Sequence, residues 1–255
     1  MTDRPMHQGD NFRKLTALYA EGERLIEEGE LERAIATFTE GLGIDDHFRQ
    51  RYITMYAQRA FALQRLGRLE EAIADYTAAL EMEAELNHAQ YFFHRGMCFQ
   101  GLEGKASAAL DDFSRSIALY DGHPGPFHLR GRLYANVFER YADAIADLDK
   151  LLAMRPEPEG YQLRGFSKIM LKDYAGGLAD VERANELAPN AYCDYLAACA
   201  LAALGRKAEL FERIERTLRV DGSYAASFAS DDELVPYRED RRFKELLAKT
   251  ARGLS

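Results

Sequence analysis

The sequence predicts an all-α protein, a right-handed α-solenoid of about six helix-turn-helix repeats closed by a C-terminal capping helix. An Arg is followed 16 or 17 residues later by an Asp four times along the chain, as Arg59 and Asp75, Arg95 and Asp112, Arg130 and Asp147, and Arg164 and Asp180. A small residue recurs at Ala34, Ala72, Ala109, Ala144 and Gly177, with a divergent Leu210 closing the series. Four residues after each stands a larger apolar one: Phe38, Tyr76, Phe113, Leu148, Val181 and Ile214. Self-similarity with a period in the mid-thirties means stacked helical hairpins, because one hairpin cannot bury its apolar face without neighbours.

The elements follow in order. First helices of the hairpins are expected at Phe12 to Glu28, Arg51 to Leu66, His88 to Leu102, Pro126 to Phe138, Tyr161 to Leu171 and Tyr192 to Leu204. Within each hairpin lies a turn signal: Glu28-Gly29-Glu30, Leu66-Gly67-Arg68, Gly101 to Lys105, Glu139-Arg140, Lys172-Asp173 and Leu204-Gly205-Arg206. Gly there takes the left-handed conformation that ends a helix without a Cβ penalty. The second helices carry the small residue that lets two backbones approach, and the apolar residue one turn on fills the space beside the contact. Pro124, Pro126, Pro156, Pro158 and Pro189 mark boundaries between repeats, since Pro lacks the donor a helix interior needs.

These residues resemble the tetratricopeptide repeat family, a pair of helices with Leu-Gly and Tyr on the first and Ala, Phe and Pro on the second. The second unit reads Tyr56, Leu63, Gly67, Leu69, Ala72, Tyr76, Ala79, Leu80, and the fifth reads Gly165, Leu171, Tyr174, Leu178, Ala184, Pro189. Arg-Gly at 95–96, 130–131 and 164–165 is similar to the family's Leu-Gly pair, and the resemblance covers roughly residues 14 to 221. There are departures: the chain has no Trp, the first junction carries extra residues around Asp45 to Arg51, and the third and fourth units each gain a residue at the internal turn.

The expected layout is a flexible N-terminus at 1–11, a solenoid at 12–222 and a cap at 223–255. The repeats fall at about 12–46, 47–86, 87–122, 123–156, 157–189 and 190–222. The closing segment resembles that of many bacterial proteins of this class, which suggests a bacterial source. An open-ended stack needs a polar-faced cap, and Phe243, Leu246, Leu247 and Leu254 make one apolar stripe to lay against the sixth unit.

Composition narrows the function. A formal charge of -9 lacks the basic footprint of a nucleic-acid binder. Cys98, Cys193 and Cys199 show no CxxC spacing, so neither a disulfide framework nor a zinc site is indicated. No run approaches the ~18 apolar residues that span a bilayer, and the polar start from Met1 to Asn11 has no signal-peptide core. A soluble, cytoplasmic protein with no membrane partner is expected. His94 and His128 are the nearest thing to a metal pair and lack a third ligand. Cys193 and Cys199, six apart, do not share a helix face, and Asp111-Asp112 and Asp231-Asp232 point apart on a helix. With no Gly-rich phosphate loop, HExxH or GxSxG, neither catalysis nor a cofactor is expected.

Arg on the first helix and Asp on the second stand at matching heights, so the four pairs are expected to be structural ion pairs that fix helix register. In this repeat class the first helices line the concave face. The candidate partner-binding groove is therefore Tyr19 and Glu23; Phe61, Gln64 and Arg65; Phe93, His94, Met97 and Gln100; His128 and Arg132; Gln162, Phe166 and Met170; then Tyr195 and Cys199. Family members that grip a chaperone's C-terminal carboxylate use Lys, Asn and Arg. The corresponding positions here hold Tyr19, Glu23, Gln58 and His94, so that clamp is not expected.

The expected function is a scaffold or adaptor that binds a peptide or protein segment in this groove. One alternative is an assembly element that forms a homo-oligomer through its ends or outer face. Residues Glu21 to Asp46 carry nine acids against Arg24 and Arg33, whereas Gly205 to Arg219 carries five bases against three acids. A remote alternative is a metal-binding or enzymatic protein using His94 and His128.

Overall fold

The computed structural model describes residues 4–44, 49–82 and 89–253. Every regular element among them is helical. The chain forms two compact units, Met1–Pro126 and Phe127–Ser255. The first unit contains α1 (Arg4–Glu27), α2 (Leu31–Leu42), α3 (Arg49–Arg65), α4 (Leu69–Met82), α5 (Ala89–Gln100) and α6 (Ala106–Leu119). Then α7 (Pro124–Asn136) carries the border, and the second unit continues with α8 (Tyr141–Met154), α9 (Pro158–Met170), α10 (Tyr174–Leu187), α11 (Ala191–Ala203) and α12 (Lys207–Val220). It closes with α13 (Tyr224–Ser230), a 3₁₀ segment (Asp232–Tyr237) and α14 (Arg241–Gly253).

Odd-numbered helices from α1 to α11 are first helices and even ones are second helices. In the first unit α2 packs on both α1 and α3, and α4 on both α3 and α5; in the second unit α10 packs on both α9 and α11. First helices also meet one another, α1 with α3, α3 with α5, and α9 with α11. A second helix is thus wedged between consecutive first helices, the arrangement of an α-solenoid.

Some helix starts differ from expectation, for a common reason. α1 begins at Arg4, α7 at Pro124 and α9 at Pro158, each ahead of the expected residue. Pro is compatible with a first helical turn, whose N–H groups have no intrahelical acceptor, so it opens these helices from inside rather than bounding them from outside. His88, Leu254 and the part of the first junction at 45–48 lie outside the described residues.

The six hairpin turns share one backbone solution. Gly29, Gly67, Gly104, Glu139, Lys172 and Gly205 all have positive φ, between 52° and 81°, and each stands five residues before the small-residue position of its second helix. In the second hairpin the N–H of Arg68 reaches back to the Leu63 carbonyl at 3.0 Å, and in the fifth that of Asp173 reaches Lys168 at 2.9 Å. These bonds satisfy carbonyls that the helix end leaves open. The extra residue of the third and fourth units precedes this point and does not disturb it.

Helix contact explains the small residues. A Cβ on Gly96 would come within 2.7 Å of Phe113, and one on Gly165 within 2.6 Å of Val181. The apolar residue four after each anchor therefore packs into space that a first-helix side chain would occupy. Phe38, Tyr76 and Phe113 are buried in the first unit, and Leu148, Val181 and Ile214 in the second.

The second unit ends in more than one capping helix. Phe243 and Leu246 of α14 are buried, as expected, and α14 lies on α12. Phe228 of α13 and Leu234 of the 3₁₀ segment are also buried, within the same core as Leu196, Leu201, Phe211 and Ile214. The terminal segment lies on both last helices, with the 3₁₀ segment on α11 and α13 and α14 on α12.

Candidate functional site

The four Arg–Asp pairs are bidentate. Arg59 Nε and Nη2 donate to Asp75 at 2.6 and 2.7 Å, Arg95 to Asp112 at 2.8 and 2.8 Å, Arg130 to Asp147 at 2.7 and 2.7 Å, and Arg164 to Asp180 at 2.8 and 2.6 Å. All four carboxylates are buried. Hydrogen bonding to its Asp raises the pKa of Arg59 and of Arg130 against the opposing effect of burial. Each cation is also backed by a ring: Arg59 lies over Tyr56, Arg95 over Phe92, Arg130 over Tyr134 and Arg164 over Tyr161.

The guanidinium also reaches the preceding repeat. Arg59 Nη1 donates to Thr39 Oγ1 at 2.9 Å, Arg95 Nη1 to Thr77 Oγ1 at 2.9 Å, and Arg164 Nη1 to Asp149 Oδ1 at 2.6 Å. Thr39 gives its own proton to the Ile35 carbonyl at 2.7 Å, which leaves an oxygen lone pair for Arg59. One fork therefore fixes the hairpin and its junction with the previous one.

In the sixth repeat the polarity reverses. The acid is Asp194 on the first helix, 2% exposed, and the base is Arg213 on the second. Asp194 receives Arg213 Nη1, Arg216 Nε and Asn185 Nδ2, each at 2.8 Å. Arg213 Nη2 continues to Glu182 of the preceding repeat at 3.0 Å. A search for Arg before Asp misses this rung; its signal is an Asp before an Arg at a spacing of 19 residues.

The inner-row residues are distributed as follows in the first unit. Tyr19 donates to Glu23 at 2.7 Å, and Gln58 donates to the same carboxylate at 3.3 Å. Burial, then Glu23, raises the Tyr19 pKa. Phe61 and His94, on successive first helices, meet edge to face with ring centres 5.7 Å apart. Gln64 accepts from the Tyr76 hydroxyl at 3.3 Å, and Arg65 caps the Ile26 carbonyl at 3.2 Å. Met97 is 36% exposed, and Gln100 is half-buried. Burial lowers the His94 pKa.

In the second unit, His128 Nδ1 lies 3.0 Å from Glu157 Oε1, while Arg155 holds the other oxygen at 2.7 Å. Among the described residues Glu157 Oε1 has no other donor, so the pair is satisfied when His128 carries a proton on Nδ1. Burial lowers the His128 pKa, and Glu157 acts against it. Gln162 accepts from Asn190 at 3.3 Å and from the Cys193 thiol at 3.4 Å. Phe166 packs edge to face on Tyr141 with centres 6.0 Å apart. Arg132 and Met170 are exposed.

The last two inner-row candidates are covered by the protein itself. The Tyr195 hydroxyl donates to Asp231, and the tilted rings of Tyr224 and Phe228 pack against its ring with centres 5.2 and 5.3 Å away. Cys199 is 4% exposed and lies 3.4 Å from the same Asp231 oxygen. Burial, then the carboxylate, pushes the Cys199 thiol well above its ordinary pKa, so it is an inert core group. The correction has a plain cause: the apolar residues of α13 need a surface, and the open face of α11 is the one adjacent to them. Among the described residues no group of three or more His, Cys, Asp or Glu side chains is placed to hold a metal ion, and no helix is long and apolar enough to cross a membrane.

Stacked hairpins, with second helices wedged between consecutive first helices, define a helical-repeat protein of the α-solenoid class. The family model of the tetratricopeptide repeat matches residues 53–86. The chain is 30% identical over 135 residues to human tetratricopeptide repeat protein 13, covering 51% of this chain and 15% of that protein. It is 29% identical over 100 residues to the DnaJ homolog subfamily C member 7 homolog of Dictyostelium discoideum, covering 39% of this chain and 18% of that protein. The chain thus spans less than a fifth of the length of either relative.

Among solved structures, a tetratricopeptide repeat protein from Parabacteroides merdae superposes with a TM-score of 0.64 at 18% identity, covering 94% of this chain and 99% of that one. YrrB, described as a TPR protein with an unusual peptide-binding site, gives 0.58 at 19% identity over 69% of this chain and 91% of its own. MamA from Desulfovibrio magneticus gives 0.59 at 18% over 68% and 94%. At these identities the likeness is one of fold. Residues 53–86 carry a tetratricopeptide repeat, and the chain shares the fold of tetratricopeptide-repeat proteins.

Proposed function

We propose that the chain binds a peptide or protein segment along the inner row of its first helices. The observation that carries this is the Phe61, His94 and Met97 row of the first unit, where two successive first helices bring a half-buried aromatic pair beside an exposed Met. Exposed aromatic and Met groups in a contiguous stripe are characteristic of interaction surfaces. The neighbour described as having a peptide-binding site supports the same use. In the second unit the usable row is His128, Arg132, Gln162, Phe166 and Met170, because Tyr195 and Cys199 lie under the terminal segment.

A triple variant, Phe61→Ala, Met97→Ala and Phe166→Ala, tests this. Proteins retained from a source lysate by the intact chain are expected to be lost by the variant while its circular dichroism and melting profile keep a cooperative helical fold. Retention of the same proteins by a folded variant would overturn the inner-row assignment.

A further inference from the structure

The first unit contains a cavity of about 490 Å³ lined by Ala89, Gln90, Phe93, His94, Ser116, Tyr120, His123 and Pro126. Its volume falls within the roughly 300–1,000 Å³ of small-ligand sites. Phe93 forms one wall, and the His123 ring lies 5.3 Å from it. His94 belongs to both the cavity and the inner row, through its contact with Phe61.

The lining chemistry selects the guest. None of the lining residues is Lys, Arg, Asp or Glu, so a phosphate, carboxylate or ammonium would enter without a counter-charge, which is strongly unfavourable. Aromatic and Pro walls favour a flat ring instead. Ser116 has already committed its proton to the Ala89 carbonyl at 2.8 Å. The Gly125 N–H donates to His123 Nδ1 at 3.2 Å, which in the neutral ring places the proton on Nε2. Among the described residues that Nε2–H has no acceptor, so the cavity offers a hydrogen-bond donor beside an aromatic slot. A phenol oxygen accepts such a bond, an indole N–H does not, and a phenyl ring has nothing to offer it.

We propose that this cavity takes the side chain of a tyrosine presented by the bound segment, with its ring against Phe93 and its phenol oxygen accepting from His123 Nε2–H. The proposal rests on the interaction role given above and adds the chemistry of one anchor residue. An unphosphorylated tyrosine is required, because phosphotyrosine would bring two negative charges to an uncharged wall.

Titration of the full chain with N-acetyl-tyrosinamide, followed by NMR of the aromatic ring signals, tests it directly. Saturable shifts at Phe93, Tyr120 and His123 are expected, with N-acetyl-phenylalaninamide weaker by about three- to tenfold for the lost neutral hydrogen bond. His123→Ala, at an exposed loop position, should erase that preference and keep the fold. Ala89→Phe should fill the cavity and abolish binding of both amides. Absence of saturable shifts in the intact chain, equal affinity for the two amides, or undiminished binding in a folded Ala89→Phe variant would each overturn the proposal. Partner capture separates it from the broader role: loss in the Phe61, Met97 and Phe166 triple variant with no amide binding leaves the inner row standing without its tyrosine anchor. Amide binding with capture unaffected by the triple variant leaves the tyrosine pocket and removes the inner row.

Discussion

In the first unit, the outermost hydrogen bond of each register-fixing Arg goes to a neutral hydroxyl, Arg59 to Thr39 and Arg95 to Thr77. In the second unit two of the arginines send the corresponding bond to a carboxylate, Arg164 to Asp149 and Arg213 to Glu182. The turns differ as well. The first unit uses Gly29, Gly67 and Gly104 at its left-handed positions, whereas the second puts Glu139 and Lys172 there before returning to Gly205. The geometry is common to both units and the chemistry is not, so what the fold requires of each position is a hydrogen-bond acceptor or a dihedral angle rather than a particular residue.

The largest test of this comparison is the reversed rung. Asp194→Ala leaves Arg213, Arg216 and Asn185 without their shared acceptor. Breaking a buried pair costs about 3–5 kcal/mol because the remaining charge is uncompensated. Chemical denaturation should place Asp194→Ala at the upper end of that range and Asp75→Ala, whose Arg59 retains Thr39, at the lower end. Equal midpoints for the two would mean that the number of orphaned donors does not set the cost.

Next come the turns. A Cβ at Gly67 meets nothing within 4 Å, so Gly67→Ala carries a backbone penalty alone, about 1 kcal/mol for the left-handed region. Lys172→Gly, at φ 64°, should relieve the same strain and raise stability by about 0.5–1 kcal/mol after its extra unfolded-state entropy. Thermal melts of both variants, moving in opposite directions, would establish a shared turn; a melt of Lys172→Gly below the parent would show that the Lys side chain outweighs the strain.

The smallest effect is the junction itself. Asp149 is 56% exposed, so Asp149→Ala should cost at most about 1 kcal/mol, and less at 1 M salt, where the Debye length is near 3 Å. Thr39→Val removes a bond of similar size from a neutral acceptor, about 0.5–1.5 kcal/mol, with little salt dependence. Urea titrations at low and high salt separate the two, and identical salt slopes would remove the charge distinction between the units.

Local chemistry made much of this visible before any fold was known. A spacing of 16 or 17 residues carries Arg and Asp around one hairpin turn, and the bidentate pairs sit at that spacing. The small residues and their apolar neighbours likewise follow from one-turn helix geometry. The inner row was legible only as a list of positions, because a helix face does not reveal what will lie on it. Phe61 and His94 proved to be neighbours, whereas Tyr195 and Cys199, equivalent in sequence terms, were covered.

From its residues alone this chain settled its repeat length, its helix pairing and the left-handed turn positions, since each depends on interactions among residues within one or two hairpins. Folding in three dimensions decided the reversed Asp194–Arg213 rung, the covering of α11 by the terminal segment and the cavity beside His123. Those features join residues by burial and hydrogen-bond satisfaction across elements, and such pairings leave no fixed period in a linear sequence for an eye to find.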